Sequence, residues 1–235
     1  MTLVLVHSPS VGPGTWQPVA RCLRGRGVES VIPDLRSIGS GAPPYWPRVA
    51  QTVADGIGTL DAGVSLFLVV HSNAGLFVPA IQQAAPQPID GAIFVDAGLP
   101  APDGETPVAP AAFLARLREL ADADGILPPW TNWWTPEDVA ELLPDPAVRA
   151  AVVAEQPRLP LAYYQQALPA SPAWTSIPAA YLQFSAGYAA EAGRARQAGW
   201  PVAYLPGEHL HQVVDPVSVT DRILGLVDQL SEPAS

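Results

Sequence analysis

The sequence predicts an α/β fold: a mostly parallel, doubly wound sheet with helices on both faces and a small helical insertion. Three observations lead there. Short, near-continuous apolar runs recur at residues 3–6, 28–32, 66–70, 89–95, 178–184 and 201–205, as parallel strands buried on both faces require. Stretches with helical periodicity separate them. One long segment, residues 100–174, breaks the alternation without a convincing strand.

In chain order, Leu3-Val4-Leu5-Val6 is the first strand, followed by a helical pattern over 16–26 and a strand over 28–32. A helix over 47–60, a strand over 66–70, a helix over 74–84 and a strand over 89–95 continue the alternation. The Pro-rich segment that follows carries short amphipathic stretches at 111–120, 136–143 and 146–154. We read it as a helical cap, residues 100–174, inserted after the strand that ends at Asp96, on a core made of residues 1–99 and 175–235. A strand over 178–184, a helix over 189–198, a strand over 201–205 and a helix over 216–230 complete that core.

Composition narrows the chemistry. The 235 residues suit one domain with an inserted cap. All twelve basic residues are Arg, against 22 Asp plus Glu, for a formal charge of −10. Without Lys there is no Schiff base, no pyridoxal phosphate anchor and no Walker A loop. One cysteine, Cys22, permits neither an internal disulfide nor a multi-Cys metal or iron–sulfur site. The acidic balance argues against nucleic acid and against anionic membranes as partners. The 28 Pro and 19 Gly approach the composition of disordered chains, but seven Trp and the apolar runs argue for a packed core. No stretch has the length of a membrane span, and the N-terminal apolar run lacks the charged lead and the length of a signal peptide. A cytoplasmic location is the expectation.

The most informative segment is Leu68-Val69-Val70-His71-Ser72-Asn73-Ala74-Gly75. An apolar strand runs directly into a serine, then into small residues that open a helix. So tight a turn strains the serine backbone and lifts its Oγ above the sheet. The helix N-terminus behind it offers free N–H groups to a developing oxyanion. The plainer alternative is a serine N-cap on an ordinary strand-to-helix turn. A base candidate lies in Pro206-Gly207-Glu208-His209-Leu210-His211, directly after the last strand. Imidazole takes and returns a proton near neutral pH, as an activated serine needs. His209-x-His211 is also a metal-pair pattern, but no further ligands complete it, so no metal site is expected.

With these residues the sequence resembles the α/β-hydrolase family. The family's Gly-x-Ser-x-Gly elbow stands here as Val70-His71-Ser72-Asn73-Ala74. Val70 is similar to the haloalkane dehalogenase branch, whose nucleophile is Asp; with Ser72 in that place the resemblance implies acyl chemistry. His209 matches the family's catalytic histidine. Many relatives carry the triad acid after the strand that follows the cap, where this chain has Tyr188. Others carry it one strand earlier, where Ile93-Phe94-Val95-Asp96 ends. Asp96 is therefore the implied acid, with Glu191 and Glu208 in reserve. Ser72, Asp96 and His209 keep the family's chain order.

The N-terminal match is His7-Ser8-Pro9-Ser10-Val11-Gly12-Pro13-Gly14-Thr15-Trp16. Pro9 occupies the position whose N–H usually forms half of the oxyanion hole, and proline has none. Losing one such donor costs about 3 kcal/mol. Asn73 supplies the surviving N–H, and the Ser10 N–H, or a Ser8 or Ser10 hydroxyl, is the expected substitute. His7 and His71 are expected to shape the loops around the serine. Pro33-Asp34-Leu35-Arg36 resembles a further family loop in which Asp34 is structural. The resemblance spans almost the whole chain outside the cap.

Within the cap stand Trp130, Trp133, Trp134, Tyr163, Tyr164 and Trp174. They form either the cap's own core or, with Trp130, Trp133 and Trp134 facing the cleft, an apolar wall for the substrate. The negative charge disfavours anionic substrates, with Arg36 and Arg158 as local exceptions. The resemblance implies a serine hydrolase of an ester, thioester or lactone of a small hydrophobic or aromatic molecule, using no cofactor. A lyase or cyclase using the same Ser–His pocket is the alternative, as is a degenerate hydrolase that only binds small molecules.

Overall fold

The computed structural model describes residues 1–232. Along the chain come β1 (Thr2–Val6), α1 (Gln17–Gly25), β2 (Glu29–Val31), α2 (Trp46–Ile57), β3 (Leu66–His71), α3 (Val78–Ala84) and β4 (Gly91–Val95). Then follow β5 (Gly104–Pro107), α4 (Ala111–Leu120), α5 (Pro136–Leu142), α6 (Pro146–Ala154), α7 (Leu161–Tyr164) and β6 (Ala167–Ala170). The last part holds β7 (Ala179–Gln183), α8 (Ala189–Gln197), β8 (Val202–Tyr204), α9 (His211–Val214) and α10 (Pro216–Ser231). The main sheet has the order β2-β1-β3-β4-β7-β8, and all six strands are parallel.

The alternation of side chains across each strand explains the apolar runs. Leu66, Leu68 and Val70 of β3 enter one core with Val49 and Val53 of α2 and Ile81 of α3. Phe67 and Val69 enter the other, against Val19 and Leu23 of α1 and Ile223 and Val227 of α10. Because both faces are covered, all five positions from Leu66 to Val70 are apolar. No helix among the described residues is long and apolar enough to cross a membrane.

Two expectations need correction. The segment between β4 and β7 is not strand-free: β5 and β6 pair antiparallel, Gly104 opposite Ala170 and Pro107 opposite Ala167. Four-residue strands reading Gly-Glu-Thr-Pro and Ala-Leu-Pro-Ala carry a proline each and no run of β-branched residues, so their pairing leaves little trace in sequence. The predicted helix over 74–84 also begins differently. A 3-10 helix runs over Ser72–Phe77 and becomes α-helical at Val78. The tighter winding goes with close approach to the neighbouring strand, since a Cβ added to Gly75 would lie 2.2 Å from the Gly98 carbonyl oxygen.

The architecture gathers five loops at the carboxyl ends of the sheet, where open α/β folds place their sites. Ser8 to Ser10 follow β1, Ser72 follows β3, Asp96 follows β4, Tyr188 follows β7 and His209 follows β8. Gly75→Ala is expected to destabilise the fold by about 1–3 kcal/mol or more through overpacking, read by urea denaturation. Gly225→Ala, inside α10 with nothing within 4 Å of the added carbon, is expected to stabilise it by about 0.5–1 kcal/mol.

Candidate active site

Among the described residues, Ser72 (φ 59°) and Asp96 (φ 42°) are the non-glycine residues with positive φ. They end adjacent parallel strands, and such backbone strain marks sites where the surroundings hold a side chain in place. The Gly98 N–H donates to the Ser72 carbonyl at 3.0 Å, tying the two turns together.

A line of hydrogen bonds joins their side chains through His209. Imidazole Nδ1 lies 2.8 Å from Asp96 Oδ2, and Nε2 lies 2.9 Å from Ser72 Oγ. A carboxylate facing Nδ1 fixes the proton there, leaving Nε2 to accept from the serine hydroxyl. Asp96 is fully buried. Its Oδ1 accepts from the N–H groups of Phe184 at 2.9 Å and Ser185 at 3.0 Å, and Oδ2 also accepts from Ser185 Oγ at 2.7 Å. Burial pushes its pKa up, but the His209 and Ser185 hydrogen bonds and the His209 charge outweigh this and hold it below the usual carboxylate range. Glu191 and Glu208, the reserve carboxylates, line the adjoining cavity, and neither hydrogen-bonds to His209. His211 turns away: its ring covers Gly207 and meets Phe184 edge-on.

The loop after β1 forms the opposite side. Pro9 is buried there and brings no donor, and the Ser10 N–H points back to Ser8 Oγ at 3.4 Å. Ser10 Oγ is paired with the Tyr164 hydroxyl at 2.5 Å. Next to it the Tyr163 hydroxyl donates to Asn73 Oδ1, while Asn73 Nδ2 donates to the Val108 carbonyl. Two consecutive tyrosines of α7 thus grip both loops. Glu155, just past α6, accepts the Gly14 N–H at 2.7 Å and holds the same loop from further out.

Above Ser72 opens a cavity of about 700 Å³. Trp130, Trp133, Trp134 and Phe113 form its apolar wall, and Ser8 and Ser10 line it together with Ser72. Pro9 does not reach it. Nor do Arg36 and Arg158, which pair on the surface with Asp34 and Asp122, each at 2.6 Å. The basic residue on the cavity wall is Arg194. Tyr188 is a site residue that sequence reasoning missed: it registered as a lost carboxylate, yet its hydroxyl reaches Ser72. Its place where many relatives carry the triad acid was the one available signal. Among the described residues no group of three or more His, Cys, Asp or Glu is placed to hold a metal ion.

A model of the alpha/beta hydrolase family matches residues 3–221. The chain belongs to that family. This α/β hydrolase is 30% identical over 109 residues to methyl jasmonate esterase 1 of Vitis vinifera, a match covering 43% of the chain and 40% of the relative. Among solved structures it is similar to an extracellular alpha/beta-hydrolase from a Paenibacillus species (TM-score 0.74, 21% identity, 96% of this chain and 98% of that one). It is similar too to tomato methylketone synthase I with bound beta-ketoheptanoate (TM-score 0.71, 17% identity, 98% of each chain). At these identities the solved structures speak for the fold.

Two buried histidines frame the site of the hydrolase. His7 Nδ1 donates to the Ser8 carbonyl at 2.8 Å, and its Nε2 accepts the Leu35 N–H at 3.0 Å. His71 Nε2 donates to the His209 carbonyl at 2.8 Å. Burial lowers His7 to about 4, and burial together with the neighbouring His209 lowers His71 to about 3. Both therefore stay neutral in the folded protein near pH 7, whereas unfolding frees them to take protons below about 6.5. Their stabilisation is complete above that pH and is lost as pH falls toward 4 and then 3. His7→Gln is expected to flatten the decline of unfolding free energy between pH 6.5 and 4, by up to about 1.4 kcal/mol per pH unit. Urea denaturation at stepped pH measures it.

Proposed function

We propose that this hydrolase cleaves uncharged esters of small hydrophobic or aromatic molecules through an acyl-enzyme on Ser72. The observation that carries the reading is the Asp96–His209–Ser72 line of hydrogen bonds at the base of an apolar cavity. His209 takes the Ser72 proton as Oγ attacks the carbonyl, and Asp96 keeps the imidazole in the required tautomer and stabilises the imidazolium. His209 then protonates the departing alcohol, and water resolves the acyl-enzyme by the reverse sequence of proton transfers. The backbone N–H of Asn73, at the start of the 3-10 helix, faces the oxyanion. The Ser10 hydroxyl replaces the donor that Pro9 lacks: it pairs with the Tyr164 hydroxyl, and with the phenol as donor the serine hydrogen is left for the substrate. The similarity to an esterase of a small plant ester supports the substrate class, and thioesters and lactones of similar size fit the same chemistry.

One observation favours a second reading. A site whose β1 loop presents hydroxyls and a proline suits a lyase or cyclase that uses Ser72 and His209 as acid and base without a tetrahedral oxyanion.

A fluorophosphonate is expected to label the protein at Ser72, read by mass spectrometry, and to leave Ser72→Ala unlabelled. Persistent labelling of Ser72→Ala sinks the assignment. On p-nitrophenyl esters, Asp96→Asn should lower kcat by roughly 10⁴, and Ser10→Ala by about 10²–10³. Labelling without turnover of any ester panel points to the lyase reading, and ligand binding with neither to a binding protein.

A further inference from the structure

Tyr188 closes the 3-10 turn Ala186–Tyr188 that leads from β7 into α8. Its ring stacks on the His209 imidazole, with centroids 4.9 Å apart and planes 7° from parallel. Its hydroxyl lies 3.4 Å from Ser72 Oγ, long for a hydrogen bond between oxygens. The Ser72 hydrogen is already directed at His209 Nε2, so across this gap the phenol is the donor. Ser185, the residue that opens this turn, donates to Asp96. One short segment thus touches the acid, the imidazole and the nucleophile. Burial raises the Tyr188 phenol to about 12 against the lowering effect of the Ser72 contact, so the group keeps its proton at neutral pH and serves as donor rather than base.

The position of this donor decides what it serves. In the reading above, the carbonyl oxygen takes the Asn73 N–H and the Ser10 hydroxyl. Tyr188 lies flat against the imidazole. An oxygen that takes a proton from His209 Nε2 must sit beside that nitrogen, and therefore within reach of the phenol. Resting on the serine-esterase reading above, we propose that Tyr188 is a further catalytic residue: it donates a hydrogen bond to the leaving-group oxygen of the ester, and afterwards to the hydrolytic water. In the first half-reaction the Ser72 Oγ–carbon bond forms and the carbon–alkoxy bond breaks. The serine proton passes through His209 Nε2 to the alkoxy oxygen, which departs as the alcohol. Tyr188 keeps its own proton throughout and stabilises the charge that gathers on that oxygen before protonation is complete.

This makes the contribution of Tyr188 depend on the leaving group. An alkoxide is strongly basic and needs the bond. A p-nitrophenolate departs without protonation, and a thiolate sulfur is a weak acceptor. Tyr188→Phe keeps the stacked ring and removes an oxygen whose hydrogen-bond partner is Ser72 Oγ, so the fold is not at risk. The test compares wild type and Tyr188→Phe on the methyl and p-nitrophenyl esters of one aromatic acid. The expected result is a fall in kcat/KM on the order of tenfold or more for the methyl ester and less than about threefold for the p-nitrophenyl ester. Labelling of Ser72 by a fluorophosphonate, which expels fluoride, is expected within about twofold of the wild-type rate. Equal losses on both esters, or a matching loss of labelling, overturn the proposal, because a merely structural role moves all three readouts together. A wild-type protein that turns over neither ester and is not labelled overturns the serine-esterase reading itself.

Discussion

A carboxylate with no exposed surface keeps its charge inside this protein, and the geometry of the site descends from how that is achieved. An isolated buried charge costs several kcal/mol, and only neighbours that donate to it offset the loss of water. Asp96 has four donors: the N–H groups of Phe184 and Ser185, the Ser185 hydroxyl and His209. Three come from the end of β7 and one from the loop after β8. Satisfying the carboxylate therefore fixes the relative positions of three successive strand ends. Tyr181 of β7 ties the same corner from behind, its hydroxyl donating to the Ala97 carbonyl at 2.8 Å and accepting the Ala97 N–H at 3.0 Å. Held on both sides, Asp96 is kept at φ 42°.

Ser72 is placed by contact rather than charge. At Gly75 the chain passes so close to the Gly98 carbonyl that any side chain would collide, and the Ser72 carbonyl accepts the Gly98 N–H. The turns that carry serine and acid are thus one packed unit, and His209 spans their side chains. The segment between β4 and β7 completes the other half. Tyr163, Tyr164 and Glu155 bind Asn73, Ser10 and Gly14, so its seam with the core is polar while its inner face of tryptophans is not. The hydrogen bonds that this segment makes to Ser10, Gly14 and Asn73 are separate from the pairing of Asp96 with His209. The two sides of the site are therefore built by different parts of the chain.

What was legible in the sequence follows from the same division. Strands covered on both faces show as continuous apolar runs, so the sheet and its helices could be traced, and the strand-to-helix serine stood out against them. Asp96 and His209 were legible because each lies at the end of such a run. The polar seam was not. Nothing in Leu161-Ala162-Tyr163-Tyr164 separates an aromatic that packs from one whose hydroxyl reaches Asn73 or Ser10, since that depends on the direction of a four-residue helix. Arg36 and Arg158 looked available as cavity charges because sequence does not show that Asp34 and Asp122 neutralise them. Tyr188 escaped for a subtler reason. A substitution at an expected acid position reads as a loss, and only the stacked imidazole and nearby Ser72 Oγ show a gain.

Pro9 gives the polar seam its significance. A backbone N–H points in one direction and costs nothing to orient when charge develops. A serine hydroxyl rotates, and a donor that is free to turn must be ordered before it helps. In the proposed reaction the buried Tyr164 hydroxyl supplies that order: with the phenol as donor across their contact, the serine hydrogen is left for the cavity that Ser10 lines. Burial holds the Tyr164 pKa well above the ordinary phenol range, so the phenol keeps the proton with which it donates. On that reading the tyrosine behind the serine gives a rotating group the fixed direction that the proline took from the backbone, and it does so from the inserted segment.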